Sequence, residues 1–239
     1  MNIAIIGYGK MGKAIEEIAI NRGHQVVLKI NDENLEDFTK EKIAGADVAI
    51  EFTSPHSAYD NVKKLLDFDI PVVCGSTGWT ERLGELNNYC SSQQGSFIYA
   101  SNFSVGVNIF FELNKKLAAL MADYPEYDVS LEEIHHTQKK DAPSGTAITL
   151  AEQVLEKISR KKNWVNKAAA QLSELSIISK REDPAPGTHQ VKYSSAIDDI
   201  TIIHTAHNRQ GFALGAVIAA EFIRDKTGVF SMNDVLGFR

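Results

Sequence analysis

The chain has 239 residues, 44% of them apolar, enough for one large domain or two small ones around a sizeable core. A formal charge of −6 argues against nucleic acid as the main partner, because neutralising phosphates takes clustered Lys and Arg. No apolar run is long enough to span a bilayer, no basic leader precedes Ile3, and two cysteines give no disulfide framework, so the expectation is a cytoplasmic protein without a membrane partner.

Asn2 to Ile6 reads as a strand, and Gly7-Tyr8-Gly9-Lys10-Met11-Gly12 as the loop after it. Met11, Ile15, Ile18 and Ala19 then recur at helical spacing until Arg22-Gly23. A strand, a GxGxxG loop and a helix in that order are what a dinucleotide site needs: a tight turn, close backbone approach to the pyrophosphate, and a helix N-terminus aimed at it. The next strand, His24 to Ile30, ends where such folds place a ribose-binding carboxylate. Here Asn31 or Asp32 stands ready for the ribose hydroxyls and Lys29 or Lys10 for a 2′-phosphate, which leaves NADH against NADPH open.

Strand patterns at Val48 to Thr53, Pro71 to Cys74 and Phe97 to Ala100 alternate with helical ones around Val62, Leu65 and Leu66 and from Leu83 to Tyr89. Such alternation predicts a parallel sheet covered on both faces, with ligands outside the carboxyl ends of the strands. Three polar loops fall there, at Phe52 to Pro55, Gly75 to Gly78 and Ser101 to Ser104. Cys74, at the inner end of a strand, reads as a packed small residue rather than a nucleophile.

After Ser104 the pattern changes. A long helix carries Phe110, Phe111, Leu113, Leu117, Leu120 and Met121, and a strand from Tyr127 to Ile134 leads into Glu132-Glu133-Ile134-His135-His136-Thr137-Gln138-Lys139-Lys140-Asp141-Ala142-Pro143-Ser144-Gly145-Thr146. A helix is expected from Ser144 to Lys161, then a weak helical signal mixed with a strand between Ala168 and Ala185, then strands at His189 to Ser194 and Ile200 to Ala206. Strands in succession indicate an antiparallel or mixed sheet. Phe212 to Ile223 is apolar almost all round, as a buried helix is, and its expected place is the first domain. The expected organisation is therefore α/β, with a Rossmann-like parallel-sheet dinucleotide-binding domain from residues 1–104 and 210–239. A smaller α+β domain with a mixed sheet takes residues 105–209. Ser104 and Arg209 would be hinges, and Arg209 a cation near cofactor or substrate.

The central stretch brings two imidazoles, two ammonium groups and a helix start with its N–H donors within a few residues. Such a site binds carboxylate or phosphate, and histidine and lysine can deliver a proton once hydride has arrived. Adjacent histidines on a strand point to opposite faces and do not converge on one ion, and no HExxH or Cys/His spacing supplies companions, so no metal is expected.

With GYGKMG, EFTSP, CGSTGW, SNFSVGVN, EEIHHTQKKDAPSGTA, HTAHNRQGFALGA and FSMNDVLGF, the sequence resembles the 4-hydroxy-tetrahydrodipicolinate reductase (dihydrodipicolinate reductase) family over essentially its whole length. The resemblance implies reduction of a cyclic imine dicarboxylate by NADH or NADPH, with loss of water, in the diaminopimelate route to lysine, commonly in a homotetramer. It implies His135 as proton donor/acceptor and Lys139 as proton-donating lysine. It further implies His136, Gly145 and Thr146 as carboxylate ligands. The cofactor positions it implies are Gly7, Tyr8, Gly9, Lys10, Met11, Gly12, Asn31, Gly75, Ser76, Thr77, Ala100, Ser101, Asn102 and Phe103. A silent dinucleotide-binding sensor predicts loss of His135 or Lys139, and both are present. Another two-domain dehydrogenase would not account for the Asp-Ala-Pro-Ser-Gly-Thr turn.

Overall fold

The computed structural model describes residues 1–208 and 210–238, so Arg209, one of the expected hinges, lies outside the described residues. The chain divides into two compact units, Met1–Val105 with Arg209–Arg239, and Gly106–Asn208.

The first unit opens with β1 (Asn2–Ile6), α1 (Lys10–Asn21), β2 (Gln25–Ile30), a short α2 (Lys40–Ile43) and β3 (Val48–Glu51). It continues through α3 (Ala58–Asp67), β4 (Val72–Cys74), α4 (Leu83–Ser92) and β5 (Ser96–Tyr99). The strand residues bury alternately on both faces. Ile3, Ile5, Val48, Ile50, Val73 and Ile98 enter one apolar cluster, and Ala4, Ile6, Ala49, Val72 and Phe97 another. That is why these strands read as continuous apolar runs rather than as alternating ones.

The second unit takes α5 (Val105–Met121) from its second residue, then β6 (Asp128–His135), α6 (Gly145–Lys157), β7 (Asn163–Val165), β8 (Glu174–Arg181), β9 (Gly187–Ser194) and β10 (Asp199–Ala206). Its five strands lie in the order β10-β9-β6-β8-β7, antiparallel from β10 to β6 and parallel from β6 to β7. One face packs on α6 through Leu150, Ala151 and Val154, each fully buried. Burial of a Leu or Val at this level stabilises by about 1.5–3 kcal/mol.

The first unit is completed by α7 (Gln210–Ile223), β11 (Gly228–Phe230) and α8 (Met232–Leu236). The all-apolar character of α7 follows from its surroundings: Ala213, Ala216, Val217, Ala219, Ala220 and Ile223 are buried with Ile3, Ile5 and Ile50. Gly215 is obligatory there, since a Cβ would lie 1.7 Å from the Phe103 carbonyl oxygen. The first sheet is wholly parallel in the order β11-β5-β4-β3-β1-β2, so the strand order reverses between β1 and β3 and opens the crevice typical of ligand sites in such sheets. Among the described residues no helix is long and apolar enough to cross a membrane.

Two local expectations need correction. The sixth helix ends at Lys157, short of Lys161, because Ile158 leaves helical geometry at φ −103°, ψ 88°. The Lys161 side chain is buried, donating to the Glu174 carbonyl at 2.8 Å and pairing with Asp128 at 2.6 Å. Between Ala168 and Ala185 there is no helix; β8 occupies Glu174–Arg181, held on both sides by β6 and β7.

Candidate active site

In the first unit the glycine loop is built as a nucleotide cradle. Gly7 has φ +97°, and a Cβ there would sit 2.1 Å from the Phe52 carbonyl oxygen; one on Gly12 would come within 2.6 Å of the Gly7 carbonyl oxygen. Gly9, by contrast, faces open space with nothing within 4 Å, and as N-cap of α1 it supplies no side chain to occupy the first-turn N–H groups. A phosphate can approach the backbone there. The Gly7 and Tyr8 amides both donate to the Ile30 carbonyl, at 2.9 and 2.8 Å, fastening the loop to the end of β2.

A cavity of about 590 Å³ lies over the ends of β1, β2 and β3, with Gly7, Tyr8, Gly9 and Asn31 in its wall beside Asp32 and Thr53. Lys10, Met11 and Gly12 are not in that wall, and neither are Gly75, Ser76, Thr77 or Ala100 to Phe103. These last residues are fixed nearby: Thr53 N–H donates to Ser76 Oγ at 2.8 Å, the Phe52 and Phe103 rings are 5.9 Å apart, and a Cβ on Gly75 would strike the Phe52 ring. The Cys74 thiol is buried 3.1 Å from Glu51, and that burial and carboxylate push its pKa well up, the opposite of an activated nucleophile.

In the second unit, β6 alternates so that Val129, Leu131, Glu133 and His135 all face inward. The inward face is apolar at the start of the strand and polar at its end. His135 is the last strand residue and is buried; His136 lies just beyond and is half-buried. Glu133 has no exposed surface and connects the neighbouring elements. Its carboxylate accepts the Ser144 N–H at 3.1 and 3.2 Å and the Ser179 hydroxyl at 2.7 Å. It also faces His135 Nδ1 at 3.4 Å, His189 Nε2 at 3.6 Å and Arg181 at 3.7 Å. The other ring nitrogen, His135 Nε2, faces Gly187, where a Cβ would stand 3.1 Å away.

The start of α6 is thereby tied to the histidine. Ser144 caps the helix by accepting the Ala147 N–H at 3.2 Å, and its hydroxyl meets His189 Nε2 at 3.1 Å. Gly145 is exposed, with open space where a Cβ would be. The Lys139 ammonium pairs with both Asp141 oxygens at 2.8 Å. Arg181 holds the same turn by donating to the Asp141 carbonyl at 2.6 Å, and Asp183 clasps Thr137 through its amide at 3.2 Å and its hydroxyl at 2.6 Å. Glu133, Arg181, His189 and Gly187 received no role from the sequence. Glu133 had a signal, standing two residues before His135 and so on the same strand face; the other three required the sheet register.

Burial, then the neighbouring His189, lowers the His135 pKa to about 4, so the imidazole is neutral near neutral pH. Glu133 is at about 2: burial would raise it, but the facing His189 and the bonds from Ser144 and Ser179 prevail. Both shifts make folding stability fall with acid. Unfolded chains take up the histidine proton from pH 6.5 downward while the folded state resists until about 4; the Glu133 contribution is present above about 4.5 and is lost toward about 2. Half-buried His204, also lowered by desolvation, acts in the same direction as His135. The expected outcome is a loss of about 3 kcal/mol from His135 between pH 7 and 4, seen in denaturant midpoints and absent from that interval in His135→Gln.

Glu133, His135 and His189 also bring ligand-type atoms within 4.8 Å of one another, so His135 does have the companions that its sequence neighbourhood lacks.

Comparison with known proteins gives one consistent result. The model described as "Dihydrodipicolinate reductase, N-terminus" matches residues 1–103, and "Dihydrodipicolinate reductase, C-terminus" matches residues 106–236. A 4-hydroxy-tetrahydrodipicolinate reductase of Christiangramia forsetii is 52% identical over 99% of this chain and 98% of its own. One from Methanosarcina barkeri is 34% identical over 99% of each. Among solved structures, the dipicolinate-bound dihydrodipicolinate reductase of Paenisporosarcina sp. TG-14 is similar with a TM-score of 0.77, at 25% identity and 97% coverage of each chain.

Proposed function

We propose, from the premise that the chain belongs to the dihydrodipicolinate reductase family and reduces 4-hydroxy-tetrahydrodipicolinate as an NAD(P)H-dependent oxidoreductase of lysine biosynthesis, that the end of β6 and the start of α6 are its acid–base and carboxylate-binding half. The nicotinamide nucleotide supplies hydride, and the balanced reaction consumes one proton and releases water and tetrahydrodipicolinate. The Gly7–Gly12 loop is our candidate for the nucleotide phosphates, with Gly75 to Thr77 and Ala100 to Phe103 at the neighbouring strand ends.

In this reading His136 and the Gly145-Thr146 helix start take the two substrate carboxylates, where N–H donors and the helix dipole favour negative charge. Lys139 donates the proton, leaving Asp141 as the substrate dianion arrives. His135 works through Nε2, because Nδ1 faces the Glu133 carboxylate. Burial keeps it neutral in the free enzyme, the form in which Nε2 can accept a proton. The observation that carries the reading is the Glu133 contact set, which ties His135 and the α6 start to one buried carboxylate. We treat the Glu133, His135 and His189 cluster as proton-handling rather than cation-binding, since the Glu133 oxygens already accept from Ser144 and Ser179. For the homotetramer, the exposed Ile197 and the partly or fully exposed Ile200 and Ile203 around edge strand β10 support contacts through the second unit.

The test is inhibition by pyridine-2,6-dicarboxylate, the planar dicarboxylate that the Paenisporosarcina enzyme carries by its description. Competitive inhibition against the imine substrate, weakened in His136→Ala and Gly145→Pro, is expected; inhibition equal in those variants and wild type would place the carboxylates elsewhere.

A further inference from the structure

The end of β2 bears on which nicotinamide nucleotide the enzyme takes. Of the described residues lining the cavity over β1, β2 and β3, the only charged ones are Asp32 and Glu33; no Lys, Arg or His lies among them. Their backbone is held in place. Asn34 donates to the Lys29 carbonyl at 2.9 Å and accepts the Asn31 N–H at 2.8 Å, while Asn31 Oδ1 accepts the Glu33 N–H at 2.9 Å. Asn31 therefore shapes this turn. With the glycine loop bonded to Ile30, the separation between the pyrophosphate-binding backbone and the two carboxylates is set by the fold.

The cations nearest in sequence are each paired with a carboxylate. Lys29 pairs with Glu16 at 3.2 Å, its ammonium 4.9 Å from the Tyr8 ring centre, and the Tyr8 hydroxyl donates to the same Glu16. Lys40 faces Asp69 at 3.6 Å and Lys42 faces Asp37 at 3.9 Å.

We propose that Asp32 and Glu33 make this enzyme select NADH, a carboxylate accepting from the adenosine ribose hydroxyls and the pair repelling the 2′-phosphate of NADPH. The inference rests on the assignment of the nucleotide to the Gly7–Gly12 loop. A 2′-phosphate brings about −1.5 to −2 charges to a wall that already carries two carboxylates and, among the described residues, no cation. Discrimination is then built mainly from a repulsive element, which is how specificity between near-identical ligands is commonly obtained. Ribose recognition by an acidic residue at this strand end is the physical counterpart of the same arrangement.

The experiment is calorimetric titration of the intact protein with NADH and with NADPH, without substrate. NADH should bind at least about tenfold more tightly at low salt, and the ratio should narrow as salt screens the carboxylates. The double variant Asp32→Asn, Glu33→Gln should tighten NADPH and bring the two affinities within a few fold, its folding checked by thermal melting. Lys29→Ala should leave NADPH affinity unchanged. Equal binding of both nucleotides by wild type, tighter NADPH, or loss of NADPH affinity in Lys29→Ala would each overturn the proposal. Binding of neither would instead remove the nucleotide assignment on which it rests.

Discussion

Lys139→Ala lowers kcat by on the order of 10²–10⁴-fold, the usual contribution of a positioned general acid, while NADH affinity stays within about twofold. The magnitude follows from the lack of a substitute. Lys140 is exposed on the same turn, and Arg181 is tied to the carbonyls of Lys180 and Asp141. The Lys139 turn is fixed without the ammonium, by Arg181 on the Asp141 carbonyl and by Asp183 on Thr137, so the fold survives the substitution. Nucleotide affinity is the control, since the glycine loop belongs to the other unit. Wild-type turnover in the variant would remove Lys139 from the mechanism.

His135→Gln gives the second large effect, a fall in kcat of about a hundredfold or more together with a changed pH profile. Because burial holds the imidazole near pKa 4, wild-type kcat/KM should stay level through pH 6.5 and fall only as pH approaches 4. Glutamine fills similar volume but does not titrate, so that limb should vanish. The same substitution relieves the acid penalty on stability between pH 6.5 and 4. Activity and stability thus move in opposite directions, which a simply misfolded variant would not show. An unaltered acidic limb would place the titrating group elsewhere.

What the sequence made legible is local. The glycine loop could be read because its three glycines answer steric demands within one strand–turn–helix unit, and the first sheet because buried parallel strands are uninterrupted apolar runs. His135 and Lys139 stood out by density of chemistry within one turn. The partnership of Glu133 with His189 was hidden, because it arises only when β9 pairs with β6 in the register that sets Glu133 opposite His189. The end of α6 was misread because Lys161 is a good helix former whose side chain is instead required to satisfy the Glu174 carbonyl on β8. Strands β7 and β11, three residues each, are too short for any periodicity to announce them.

The central claim is that one buried carboxylate organises a proton-delivering, dicarboxylate-binding site for imine reduction. Its most direct test supplies the purified protein with the condensation product of pyruvate and aspartate semialdehyde and follows nicotinamide oxidation for wild type and His135→Gln side by side. Substrate-dependent oxidation by wild type that falls about a hundredfold or more in the variant is the predicted result. Oxidation at the same rate in both proteins would contradict it.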